Sequence, residues 1–65
     1  MDQKFEFIDQ WYDEELKIWI QATYYEKNNR FYLKYDFSDG TGKKPRRISE
    51  NTFVDAFLLH IAPDI

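Results

Sequence analysis

Two runs of alternating apolar residues meet at Asn28-Asn29, and they constrain the fold of this 65-residue chain more than any other feature. In residues 16–26 the apolar side chains fall on Leu16, Ile18, Ile20, Ala22 and Tyr24, with polar Lys17, Gln21 and Thr23 between them. In residues 30–37 they fall on Phe31, Leu33, Tyr35 and Phe37. A period of two puts each set on one face of a strand. Asparagine tolerates the positive φ of a two-residue hairpin turn. With Asn28-Asn29 as that turn, Lys27 faces Arg30, Tyr24 faces Leu33, Ala22 faces Tyr35 and Ile20 faces Phe37. The apolar faces then coincide without adjustment. A slip of one residue would turn one of them to water, so the sequence predicts this register.

A hairpin alone is not a stable domain. Residues 50–62 supply a helix, with Ser49 as its N-cap, Glu50 at the positive end of its dipole and Pro63 as its stop. Helical spacing gathers Phe53, Val54, Phe57, Leu58 and Ile61 into a stripe expected to face the core, with Leu59 on the far side beside Asp55 and Ala56. Residues 4–12, KFEFIDQWY, fit two readings. As a helix they place Phe5, Phe7, Ile8, Trp11 and Tyr12 together. As a strand they place Phe5, Phe7 and Trp11 on one face but trap Asp9 among them, which requires a bulge or an edge position. The strand is preferred, because a third strand reached by a turn at 12–15 makes a meander able to carry the helix. Residues 38–47, SDGTGKKPRR, hold both glycines and one of the two prolines and read as a loop. The expectation is an α+β fold, a small antiparallel meander of two or three strands with a C-terminal helix packed on one face, forming a single domain over residues 1–65.

The chain has no cysteine, so neither disulfides nor thiolate metal ligation supplement its core. Aromatic residues at 20% of the composition must supply the buried area. No apolar run approaches the roughly 20 residues of a membrane span, and the first residues lack the basic-then-apolar layout of a secretion signal. A soluble, cytoplasmic protein with no membrane partner is expected. The net charge is -3, but it is segregated. Residues 1–26 carry seven acidic and two basic side chains, residues 27–47 two acidic and seven basic, and residues 48–65 three acidic and no Lys or Arg.

Catalytic patterns are absent from the sequence. His60 is the single histidine and sits at the edge of the helical stripe, where it reads as a boundary residue. Asp13-Glu14-Glu15 lacks the spacing of a calcium loop and reads as a solvated turn. Gly40-Thr41-Gly42-Lys43-Lys44 lacks the four-residue gap and Lys-Ser/Thr ending of a phosphate loop. No catalytic residue, metal or cofactor is therefore expected.

Two binding readings follow. Trp19, Tyr25 and Tyr32 on the outer face of the hairpin, with exposed Leu59 on the helix, are the anchors expected of a protein-binding surface. That reading makes the chain a non-catalytic interaction module, an inhibitor or accessory protein, and a homodimer. Alternatively, Lys43, Lys44, Arg46 and Arg47, with Arg30 and Lys34 beside the same tyrosines, suit the phosphates and bases of a nucleic acid. The basic residues have a plainer reading as well, as counter-charges to Asp13-Glu14-Glu15 and the other N-terminal carboxylates. Over about ten residues, Gly40, Gly42, Lys43 and Lys44 resemble the glycine-and-lysine segment before the last helix of double-stranded RNA-binding domains, but Ser49 starts the helix too late for the lysines to crown it, and no family is assigned.

Overall fold

Asn28 and Asn29 adopt φ angles of 54° and 65°, the paired positive values of a tight hairpin turn. They join β2 (Ile18–Lys27) to β3 (Arg30–Phe37) in the register expected, from Lys27 opposite Arg30 to Ile20 opposite Phe37. The computed structural model describes the backbone of residues 3–60 and the side chains of residues 5–59. Within that span the order is β1 (Gln3–Asp13), β2, β3, β4 (Gly42–Ile48) and α1 (Glu50–His60). The four strands form one antiparallel sheet in the order β1-β2-β3-β4, a simple meander. No described helix is long and apolar enough to cross a membrane.

Residues 4–12 are strand, as preferred, and β1 lies at an edge of the sheet. Asp9 stands opposite Ala22 and is half-buried on the helix side, tolerable because one flank of an edge strand stays open to water. The bulge occurs elsewhere, where Lys4 and Phe5 together face Glu26. The turn after β1 lies at residues 14–17, two residues later than expected. Asp13 organises it: its Oδ1 accepts from the amides of Glu15 and Leu16 at 2.9 Å, and its carbonyl accepts from Lys17 N at 2.7 Å. Lys17 takes φ 60° to close the loop.

The main correction concerns residues 42–48, which are a fourth strand and not a loop. Ser38-Asp39-Gly40 is a tight three-residue hairpin loop, with Gly40 at φ 93° and its amide donating to the Phe37 carbonyl at 3.0 Å, while the Phe37 amide donates to the Thr41 carbonyl at 2.9 Å. The chain therefore folds straight back, and β4 hydrogen-bonds the flank of β3 that would otherwise be open. The glycines and Pro45 mark the turn and a bulge, not a break: Lys44 and Pro45 together stand opposite Lys34. Lysines, a proline and a bulge are common devices for keeping an outer strand from recruiting another sheet.

Ser49 caps the helix as expected. Its Oγ accepts from Thr52 N at 3.1 Å and donates to Thr52 Oγ1 at 2.9 Å. The buried face of the helix, however, is rotated from the expected stripe. Phe53 and Ala56 are buried, whereas Val54, Phe57 and Leu58 are exposed together with Leu59. Ile61, with the rest of residues 61–65, lies outside the described residues, as does the side chain of His60. The reason is aromatic packing. Phe53 sits between Phe7 and Phe31, with ring centroids 5.2 and 4.7 Å away, and Phe7 in turn stacks on Tyr24 at 4.8 Å. Small Ala56 lets the helix approach the sheet beside them. Among the described residues Ile20, Ala22, Leu33, Phe53 and Ala56 form the core.

Candidate functional site

A helix on one face leaves the other uncovered. Alternation sends Trp19, Gln21, Thr23 and Tyr25 of β2 to that open face, with Arg30, Tyr32, Lys34 and Asp36 of β3 beside them. β1 adds Glu6, Ile8, Gln10 and Tyr12 through its pairing with β2, and β4 adds Arg47 opposite Tyr32. The expected anchors Trp19, Tyr25 and Tyr32 therefore do share a surface. Leu59, 71% exposed, belongs to the helix on the opposite face and does not join them.

The aromatic side chains are paired with one another. Tyr25 and Tyr32 stack across β2 and β3 with centroids 5.3 Å apart and planes inclined by 22°. Tyr12 and Trp19 meet edge to face at 5.6 Å, and Trp19 remains 51% exposed. Ser38 fixes the strand end below Trp19, donating its amide to the Trp19 carbonyl and accepting the Trp19 amide on Oγ, each at 2.9 Å. Tyr12 and Ile8, 47% and 46% exposed, join this face through the register of β1, which could not be fixed from the sequence.

One row across this face has a definite order. Glu6 is opposite Tyr25, Tyr25 is opposite Tyr32, and Tyr32 is opposite Arg47. An acidic side chain, two stacked phenols and a guanidinium thus cross the sheet at one level, from the β1 edge to the β4 edge.

The basic residues of β4 do not act as one cluster. Arg47 lies on the open face, while Arg46, opposite Leu33, belongs to the helix side, and Lys43, opposite Tyr35, lies on that side too. There Arg46 joins an electrostatic group with Asp9, Tyr24 and Tyr35. Burial, the Tyr35 hydroxyl and the Asp9 carboxylate raise the Tyr24 phenol above its ordinary value, and Arg46 works in the opposite direction. Lys34 makes an exposed ion pair with Asp36 at 3.8 Å, worth at most about 1 kcal/mol. Arg30 is exposed at the turn, on the side of the open face near Tyr32.

The plainer reading of these bases, as counter-charges to the N-terminal carboxylates, has one observation behind it: although β1 and β4 are opposite edges, three strand spacings of about 4.8 Å or roughly 14 Å apart, Asp9 and Arg46 both act on the Tyr24 phenol from the helix side of the sheet. No group of three or more potential metal ligands occurs among the described residues. No protein-family model, curated protein or solved structure matches the chain.

Proposed function

We propose that this protein is a non-catalytic interaction module that associates with a second copy of itself through the open sheet face. The observation that carries the reading is the row Glu6, Tyr25, Tyr32, Arg47. Two sheets packed face to face about a two-fold axis parallel to their strands place the β1 edge of one over the β4 edge of the other. Glu6 then meets Arg47 of the second copy, and Tyr25 meets Tyr32. The row is its own complement. The molecule extends 34 by 29 Å in its two longer dimensions, enough for a footprint near the roughly 800 Å² per partner of a specific interface. Trp19, Tyr12 and Ile8 lie on the same face and add anchors typical of such contacts.

Molar mass by light scattering across a range of protein concentrations tests this. The expected mass is twice the 8.0 kDa of the chain, falling toward it on dilution. Arg47→Glu should shift the protein to monomer, and adding Glu6→Arg should restore the dimer. A monomer at every concentration, or a charge swap that restores nothing, refutes the reading.

A second reading has one observation in its favour: Arg30, Lys34 and Arg47 share the open face with Tyr32. A single-stranded nucleic acid would use such bases and rings. Two features weigh against it, the division of the β4 cations between two faces and the stacking of Tyr25 on Tyr32, which commits one face of each ring. Anisotropy of a labelled single-stranded oligonucleotide separates the readings. Binding that collapses with moderate salt and is lost in Arg47→Glu, without rescue by Glu6→Arg, would favour nucleic acid.

A further inference from the structure

The rotated helix leaves a second unfinished surface, on the side away from the open face. Between α1 and the start of β1 lies a groove of about 400 Å³, the size that holds a few side chains. Its walls are Phe5, Phe7, Phe31, Phe53, Val54 and Phe57, and Phe5 remains 62% exposed. Among the described residues its charged lining consists of Glu6, Glu26 and Glu50, all acidic.

Glu26 is the telling member. It lies on the inner strand β2 at 8% exposure, the one buried charged residue of the described core. Desolvating a carboxylate among phenylalanines is costly unless a cation or donor compensates. None of the described hydrogen bonds or ion pairs involves Glu26. No described side-chain oxygen is both sealed from solvent and unsatisfied, so the carboxylate stays reachable through the groove.

We propose that this groove binds an amphipathic segment of a partner protein, carrying a lysine or arginine among apolar side chains. The cation pairs with Glu26, and its aliphatic stem and apolar neighbours lie against the phenylalanines. Ring faces favour a cation at such a site, and the three carboxylates disfavour an anionic occupant. The basic strand of a second copy is a poor fit, because Lys43, Lys44, Arg46 and Arg47 are accompanied only by Pro45 and Ile48 and offer no apolar face. The groove and the self-complementary row share only Glu6, at the β1 edge, and the groove is tested through Glu26 and Glu50, so failure of one leaves the other standing.

The probe is a twelve-residue leucine-lysine peptide of helical period, titrated into isotope-labelled protein and followed by amide shifts. Shifts should concentrate at Phe5, Phe7, Phe53, Val54 and Phe57, and a leucine-glutamate peptide of the same pattern should bind at least about tenfold more weakly. Glu26→Gln should weaken the leucine-lysine peptide by about tenfold, and the exposed Glu50→Gln, which leaves the core intact, by about threefold. Unchanged affinity in both variants, equal binding of the leucine-glutamate peptide, or shifts centred on Trp19 and Tyr32 would overturn the proposal. Lys4 and Phe5 face Glu26 across the β1 bulge, so a gain in peptide affinity on Lys4→Ala would show that the cation is the chain's own and overturn it too. Contacts from a second copy or from residues 61–65 to Phe57 in the free protein would do the same.

Discussion

Tyr25 and Tyr32 face each other directly across β2 and β3, their rings stacked 5.3 Å apart on the side of the sheet that the helix does not cover. Cross-strand aromatic pairs contribute about 0.5–1 kcal/mol beyond their separate burial. A double-mutant cycle with Tyr25→Ala and Tyr32→Ala, followed by urea unfolding at concentrations where the protein is monomeric, should return a coupling energy in that range. Additive losses would mean that the two rings merely sit near each other.

The rotation of α1 predicts unequal costs along one helix. Phe53→Ala removes the ring between Phe7 and Phe31 and should cost about 3–5 kcal/mol. Leu58→Ser, on the exposed side, should change stability by no more than about 0.5 kcal/mol. Denaturant midpoints of the two variants decide between the observed helix face and the stripe expected from spacing alone, which would make both substitutions damaging.

The two glycines have different reasons to be glycine. A Cβ on Gly42 would lie 2.7 Å from the Tyr35 carbonyl oxygen, a backbone atom that can yield only by distorting the β3–β4 ladder. Gly40 meets nothing within 4 Å, but holds φ 93°. Gly42→Ala should therefore cost about 1–3 kcal/mol through crowding. Gly40→Ala should cost about 1–2 kcal/mol through backbone strain, and Gly40→Asn less than Gly40→Ala, since asparagine tolerates that region. The Asn rescue should fail at Gly42. Thermal or urea unfolding of the four variants checks the pattern.

Asp39 offers a local titration. Its Oδ1 accepts from Thr41 Oγ1 at 2.7 Å and from Thr41 N at 3.0 Å, and these bonds, the side-chain one foremost, hold its carboxyl below the ordinary 3.8. A carboxyl depressed in the folded state adds stability above its unfolded value and loses it as pH falls through its folded value. The carboxyl-carbon shift of Asp39 should thus titrate below that of an unstructured aspartate. Thr41→Val removes the hydroxyl and should move it upward, leaving the backbone contribution in place.

The hairpin was legible because two independent patterns had to agree, the alternation on both sides of Asn28-Asn29 and the sign of φ at the turn. Ser49 was legible because an N-cap is a local device. β4 was not. Its side chains carry no alternation, since an outer strand with lysines, Pro45 and a bulge buries almost nothing, and only Ile48 escapes full exposure. The available signal was Asp39-Gly40, a hairpin dipeptide as strong as Asn28-Asn29, obscured by the neighbouring basic residues. The helix face was misjudged for a different reason. Spacing finds the most apolar arc, but the sheet chose the arc on which Phe53 interlocks with Phe7 and Phe31 and Ala56 permits close approach. Among the expected site residues, Trp19, Tyr25, Tyr32, Arg30 and Lys34 share a face because hairpin parity dictates it. Lys43, Arg46 and Arg47 are divided because the parity of β4 only becomes defined once β4 is known to be a strand. Glu26 did carry a parity signal, since it follows Tyr24 in the inward phase of β2 and stands opposite Phe31, but the depth of its burial depends on the elements that close over it.

In a meander every strand hydrogen-bonds only to the strand before it and the strand after it. No strand must wait for a distant segment, so the entropy of closing long loops is largely avoided and folding should be fast for a sheet protein. As the chain leaves the ribosome, β1 and β2 have what they need to pair before β3 has been made, and each later strand adds to an existing template. The helix follows all four strands. Until it is made, the phenylalanines on its side of the sheet are uncovered, and an element synthesised only after the whole sheet is the one that shelters them.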